Sequence, residues 1–379
     1  MPPNARESFF VTCAPGLEPV LHEEMRALKL AKTERQVSGV YFEGTLRDAM
    51  RANLWLRTAV RVLMRVARFP AANADELYAG AHQVEWSRFI GPTGSLVVDA
   101  HSTSSALDHT LFIAQKVKDA VVDALRDEEG ARPRVAKTGA DLGVYAHLFK
   151  DRCTLLVDTS GDSLHKRGWR RFQGRAPLAE TLGAALVLAS QWDRRAPLLD
   201  PFCGSGTVLI EAALIADNIA PGSFRASFGF ERWKEHDAAT WESVKAEARA
   251  MAKPARKTVL LGFDRDPAAV AGASDNIAAA GLSGRIEIAR GEALEFAPRK
   301  NWNAWVVSNP PYGERLGDER KVRELYQRFG VRLRESCAGY HVALLCPANG
   351  AAKALGLAGA QHTRVQNGGI ECELVTAAI

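Results

Sequence analysis

Apolar residues recur every second position in some stretches and every third or fourth in others, and the switches between these periods map the chain. Phe9-Phe10-Val11-Thr12 is a short β-type run, and Pro15-Gly16 turns the chain. Leu17, Val20, Leu21 and Leu28 then follow helical spacing around Glu24. The segment Val37–Phe42 predicts a strand, and Thr45 can cap a helix running to about Leu56. From Ala59 to Phe69, Val60, Val62, Met64 and Val66 alternate with Arg61, Arg65 and Arg68, predicting a half-buried strand with a basic outer face. The order β-α-β-α-β predicts a ferredoxin-like α+β domain over residues 1–69. A second α+β unit is expected over residues 70–160. It comprises a helix over Asp75–Phe89, a strand over Ser95–Ala100 and an amphipathic helix over Thr110–Leu125, then a hairpin of Tyr145–Phe149 with Cys153–Asp158.

After Pro177 the texture changes. Helices are predicted over Leu178–Trp192, Gly206–Ile219, Pro267–Ala280 and Arg320–Glu335. Between them lie β runs at Ala196–Asp200, Thr258–Phe263, Arg285–Ala289, Ala304–Ser308, Tyr340–Cys346 and Ile370–Thr376. Strands separated by helices imply an α/β, doubly wound, mostly parallel sheet over residues 178–379. The stretch Ala220–Lys257 interrupts this alternation and carries Phe224, Phe228, Phe230, Trp233 and Trp241. A minimal nucleotide-binding unit would not need it, and a flap with a small core of its own is expected.

Composition narrows the class without naming a function. The chain has 379 residues, 47% hydrophobic and 25% charged, as in an ordinary globular protein of two or three domains. No apolar run reaches the roughly 18 residues that a membrane span needs, and the N-terminus lacks the apolar core of a signal peptide. Six cysteines, none in a CxxC pair, signal neither a zinc site nor a disulfide framework, so a reducing cytoplasm and no metal are expected. The net charge of +5 is uninformative by itself. Its distribution matters more, because residues 161–177 read as a basic linker. Within His165–Arg175, Lys166, Arg167, Arg170 and Arg171 interleave with Trp169 and Phe172, a composition suited to phosphates and stacked bases. The competing reading is a charged interdomain linker whose aromatics pack inward.

Four constellations carry chemistry. Leu198-Leu199-Asp200-Pro201-Phe202-Cys203-Gly204-Ser205-Gly206 ends a buried strand in an acid and continues through a glycine-rich turn into a helix. Such a turn lets a ligand approach backbone N–H groups, although a simple tight βα turn would look similar. It is neither a P-loop nor a full GxGxxG, since position 209 is Leu. Asp264, at the end of the next strong strand, can accept two ribose hydroxyls, while Asp266-Pro267 suits a helix start. Glu292 follows the strand after that and can accept an adenine amine, or be a solvated turn carboxylate. In Ser308-Asn309-Pro310-Pro311-Tyr312, Asn309 and Pro310 each precede a proline and are pushed into extended conformations. This stiff arm displays the Asn309 side-chain carbonyl and the Pro310 backbone carbonyl, two acceptors suited to one planar amino group, with Tyr312 placed to stack on its ring.

Together these segments resemble the class I S-adenosylmethionine-dependent methyltransferases of the amino-methylating, Asn-Pro-Pro-Tyr branch. The N-terminal FFVTCAPGLEPVLHEEMRAL, the interdomain SLHKRGWR, APLAETLGAAL and the closing NGGIECEL resemble bacterial THUMP-domain RNA methyltransferases. The resemblance implies a Rossmann-like domain with a mostly parallel seven-stranded sheet, preceded by ferredoxin-like and THUMP RNA-binding units. It implies S-adenosylmethionine held by Asp200, Phe202, Cys203, Gly204, Gly206, Asp264, Glu292 and Asn309, with Asn309, Pro310 and Tyr312 catalytic. The substrate implied is RNA, most closely guanosine N2 in large-subunit ribosomal RNA, by a monomeric, single-activity form. Transfer RNA, or a non-catalytic role in RNA binding, are the alternatives. Glu292 departs from the Asp found in many relatives.

Overall fold

The computed structural model describes residues 6–91, 93–130, 132–136, 139–174, 177–254, 257–312 and 319–379. Arg175 of the basic segment and Gly313 after the Asn-Pro-Pro-Tyr arm lie outside the described residues. The first unit runs β1 (Glu7–Cys13), α1 (Glu18–Ala27), β2 (Ala31–Gln36), β3 (Gly39–Gly44), α2 (Leu46–Trp55) and β4 (Ala59–Pro70). Thr45 begins α2 with a reciprocal capping box to Asp48. The second runs α3 (Ala74–His82), β5 (Ser95–Thr103), α4 (Thr110–Glu129), β6 (Arg134–Val135), β7 (Leu142–Phe149) and β8 (Arg152–Asp158). Strand β2 escaped the pattern reading because AKTERQ is polar and forms a sheet edge, with no buried face to impose alternation.

The two units share one eight-stranded sheet, in the order β2-β3-β1-β4-β8-β7-β5-β6. The long strand β4 joins them, pairing with β1 on one side and β8 on the other. Its arginines are partly engaged: Arg61 pairs with Asp158, and Arg65 donates to Ser8 Oγ.

The third unit contains α5 (Glu180–Ala189), β9 (Leu198–Asp200), α6 (Thr207–Ala216), α7 (Ala238–Met251), β10 (Leu260–Asp264), α8 (Pro267–Ala279), β11 (Glu287–Arg290), β12 (Trp305–Ser308), α9 (Glu319–Ser336), β13 (His341–Pro347), α10 (Ala351–Ala354), β14 (Gln361–Asn367) and β15 (Ile370–Ala378). Its sheet has the order β11-β10-β9-β12-β13-β15-β14, with only the pairs involving β15 antiparallel. Helix α6 is buried along its whole length, so its apolar residues pack on every side. From β9 the chain builds outward one way through β10 and β11, then returns to lay β12 on the other flank. That reversal opens a crevice at the carboxyl ends of β9 and β12.

The 220–257 stretch braces the two halves of the molecule. Phe228, Phe230, Trp233 and Trp241 are buried, with Trp241 edge-on to both phenylalanines. Phe230 N–H donates to Thr159 C=O at 3.0 Å, Lys234 N–H to Phe89 C=O at 3.2 Å, and Glu235 pairs with Arg88. Arg225 donates to four backbone carbonyls of residues 160–166. The stretch thus has a core of its own, but that core is shared with the N-terminal sheet.

The basic segment also packs inward, which corrects part of the RNA-contact expectation. Arg167 is buried against Glu211, both at 1% exposure or less, and donates to the carbonyls of Leu164 and Arg57. Trp169 is buried with the Arg170 guanidinium 5.2 Å over its ring, and Arg170 is itself tied to Glu180 at 2.8 Å. Arg167, in the core, has no access to a phosphate and ties the N-terminal unit to α6, while Arg170 and Trp169 are packed inward. Lys166 and Arg171 remain exposed.

Burial raises the carboxyl pKa of Glu211 and pushes the Arg57 guanidinium down to about 10, so each charge depends on its neighbours. Arg167→Ala, which strands Glu211, is expected to lower stability by about 3–5 kcal/mol in urea denaturation. The double replacement Arg167→Met with Glu211→Leu is expected to cost clearly less. Equal losses would show that the charge pairing is immaterial.

Candidate functional site

Three strand ends meet at the crevice. Strand β9 ends in Asp200, buried at 1% exposure because β10 and β12 flank it in the sheet. Strand β12 ends in Ser308, whose hydroxyl donates to Asp200 Oδ1 and ties the two sides of the crevice together. Phe202 N–H donates to the same oxygen at 3.2 Å. Burial drives the Asp200 carboxyl up to about 7, opposed by these hydrogen bonds and reinforced by the nearby charge of Asp264.

The glycine-rich turn is held from both sides. Cys203 N–H donates to Phe263 C=O at 2.9 Å, and Gly204 N–H donates to Asp264 Oδ2 at 3.0 Å. Residues 204 and 264, sixty positions apart, therefore share one hydrogen bond at the strand ends. Gly204 sits at φ +51°, with open space where a Cβ would project. Gly206 takes up the turn at φ +79° and caps α6. Cys203 is buried, and burial pushes its thiol well above the ordinary range, so it is a packing residue with no thiolate chemistry at neutral pH. Phe202 is half-buried and edge-on to Phe329 of α9.

Asp264 accepts a second N–H, from Asp266, on Oδ1 at 3.0 Å, which aims the carboxylate while leaving lone pairs on both oxygens. Asp266 is the N-cap of α8, accepting from Ala268 N–H at 2.9 Å. Gly291 N–H donates to Asp264 C=O at 3.1 Å, bringing the turn after β11 to the same edge. Glu292 follows it and is exposed.

Asn309 and Pro310 are buried. Asn309 Oδ1 has no hydrogen-bond partner among the described residues. A buried, unpaired carbonyl costs about 1–3 kcal/mol, and a ligand N–H would recover it. Tyr312, at 8% exposure, accepts a hydrogen bond from Asn367 Nδ2 at 2.8 Å. The open left-handed Gly204 and the aimed Asp264 carboxylate fit the adenosine-bearing cofactor that the sequence resemblance implies, and the orphaned carbonyl is left for a further N–H donor.

Two supports escaped the sequence reading. Arg170 Nη1 donates to Ser205 Oγ and Nη2 to Thr207 Oγ1, both at 3.0 Å, so it props the glycine-rich turn from behind. Asn276 is fully buried, accepts from Arg171 and Phe172 N–H, and donates to the Phe172 and Ser205 carbonyls. Helical spacing carried the signal for Asn276: Ala269, Gly272, Ala273, Asn276 and Ile277 form one buried face, and a polar residue there needs partners.

Among the described residues, no cluster of three or more metal-ligating side chains occurs, and no helix is long and apolar enough to cross a membrane. Residues 167–376 match the family model described as RMKL-like, methyltransferase domain. Residues 8–63 match an RlmL ferredoxin-like domain, and 71–158 a THUMP domain. The methyltransferase match begins inside the basic segment, in keeping with its burial against α6. The chain is 44% identical over 372 residues to the ribosomal RNA large subunit methyltransferase K/L of Methylococcus capsulatus, covering 97% of this chain and 50% of that protein. It thus spans about half the length of the curated relatives it matches. Among solved structures, SMU.472 complexed with SAH is 31% identical with a TM-score of 0.88, covering 98% of both chains. A Listeria monocytogenes protein described as a predicted N6-adenine-specific DNA methylase is 34% identical with a TM-score of 0.86, covering 98% of this chain and 96% of that one.

Asp200 gives the site a pH signature. Its folded pKa of about 7 lies above the ordinary 3.8, so the folded chain keeps a proton that the unfolded chain releases. The stability this contributes is full below the ordinary value and is lost as pH rises through about 7. Asp200→Asn is therefore expected to flatten the fall in stability between roughly pH 4 and 7 relative to wild type, measured by denaturant midpoints across pH. Parallel curves for the two proteins would refute the assignment.

Proposed function

The chain belongs to the RMKL-like methyltransferase-domain family, and from that premise we propose that it transfers a methyl group from S-adenosylmethionine to the exocyclic N2 of a guanosine in large-subunit ribosomal RNA. The observation that carries this reading is the buried, unpartnered Asn309 carbonyl just past the carboxyl end of β12. The THUMP and ferredoxin-like matches favour RNA over other amino-bearing substrates, and the curated relatives favour ribosomal RNA. The reading includes a monomer acting in the cytoplasm without metal or membrane.

The residues divide the work. In this reading Asp264 accepts the ribose hydroxyls, Gly204 and Gly206 let the ligand approach the backbone, and Asp200, Phe202 and Cys203 shape the turn. Glu292, exposed in the turn after β11, accepts the adenine amine in this reading. S-adenosylmethionine, when bound, supplies an electrophilic methyl group on a sulfonium. Asn309 Oδ1 and the Pro310 carbonyl accept the two N–H bonds of the target amine. They orient it and localise a lone pair that would otherwise spread into the ring. Their contribution is positioning and electrostatics. The proton shed as nitrogen gains its methyl leaves along the hydrogen bond at Asn309 Oδ1 to solvent. The target base must leave its stack at a cost of a few kcal/mol, and stacking on Tyr312 offsets about 1–3 kcal/mol of that.

Asn309→Ala is expected to abolish methyl transfer to RNA while calorimetric binding of S-adenosylhomocysteine persists. Full activity in a radiolabel assay would sink the proposal. Nucleoside mass spectrometry of ribosomal and transfer RNA from a deletion strain is expected to lose N2-methylguanosine from the ribosomal fraction alone.

Lys166 and Arg171, the exposed cations of the basic segment, are expected to contact phosphates. Replacing both with Ala should weaken RNA retention and lower the salt slope of binding by about one to two units. An unchanged slope in filter binding would remove them from the interface.

A further inference from the structure

The closing segment Asn367-Gly368-Gly369 turns β14 into β15, and the proposed chemistry does not yet use it. Tyr312 lies four residues past the end of β12, while β13 separates β12 from β15 in the sheet. Because β15 runs antiparallel to β13, with Cys372 opposite Pro347, the β14–β15 turn arrives at the same edge as the carboxyl ends of β9, β10 and β12. Asn367 Nδ2 donates to the Tyr312 hydroxyl at 2.8 Å, and Cys372 Sγ lies 3.7 Å from it.

We infer that Asn367 is a positioning residue, holding the Tyr312 ring in the plane on which the target base stacks. This rests on the stacking role given to Tyr312 above. The tyrosine hydroxyl lies on the axis of the second side-chain torsion, so a hydrogen bond there restrains the first torsion and with it the line along which the ring points. The anchor is itself braced. Gln366 N–H donates to Pro15 C=O at 3.1 Å, so the first turn of the N-terminal domain seats on the outer edge of β14. Gly16, at φ +92°, approaches so closely that a Cβ there would lie 1.9 Å from Arg364 C=O. The N-terminal domain thus presses on the strand that ends in Asn367, and through it reaches the crevice.

The test is a cycle in the full chain, using a large-subunit ribosomal RNA transcript and labelled S-adenosylmethionine. Asn367→Ala is expected to lower kcat by about 3- to 10-fold, the worth of one hydrogen bond, with S-adenosylhomocysteine binding unchanged by calorimetry. Tyr312→Phe, which removes the hydroxyl and keeps the ring, is expected to show the same loss. The double variant should be no slower than either single one. Asn367→Asp, which accepts from the hydroxyl instead of donating to it, should restore most of the rate. A wild-type kcat for Asn367→Ala, or losses that multiply in the double variant, would overturn the inference while leaving the methyltransferase reading intact. Failure of the wild-type chain to methylate any RNA would instead overturn that reading.

Discussion

The geometry of the molecule depends on the buried pairing of Arg167 with Glu211. Glu211 lies inside α6, the helix that starts from the glycine-rich turn, and Arg167 comes from the segment entering the catalytic domain. Arg167 also donates to the Arg57 carbonyl, while Arg57 reaches the Leu214 and Ile219 carbonyls. Glu24 of α1 completes the cluster, accepting from the Arg57 and Thr58 N–H groups. One polar cluster thus joins the N-terminal sheet, the entering segment and the helix behind the site. Buried charges tolerate little displacement, because each loses its compensation when its partner moves. The result is orientation: the N-terminal sheet is held at a set angle and distance from the crevice.

The crevice repeats this logic on a smaller scale. Asp200 and Ser308 come from strands on either side of the topological reversal, and their hydrogen bond clamps the loops that follow those strands together. Arg170 and Asn276 brace the glycine-rich turn from behind, so Arg170, which reads as an RNA contact in the sequence, serves that turn. Polar side chains whose partners are all protein groups make a rigid frame. Just past the end of β12 the buried Asn309 carbonyl has no partner among the described residues.

Much of this was legible from residue order. Period-two and period-three-to-four patterns located most of the catalytic domain's strands and helices, since buried faces force those periods. The prolines after Asn309 and Pro310 dictated an extended arm, because the constraint is local. The edge strands β2 and β14 were missed, having little buried face to shape their composition. The 220–257 stretch was ambiguous because aromatic content reports burial but not against which surface.

By itself, then, the chain's order of residues determined the α/β class, the acid at each strand end, the stiff Asn309–Tyr312 arm and the likeness that names the chemistry. The class, the strand-end acids and the stiff arm follow from backbone sterics and local spacing, and the chemistry from the resemblance. Only the tertiary structure decided which cations face solvent, that β4 fuses two units into one sheet, that Gly204 meets Asp264, and that Asn367 reaches Tyr312. Each of those joins residues far apart in sequence, and a side chain's partner across such a gap is chosen by packing, which no local pattern encodes.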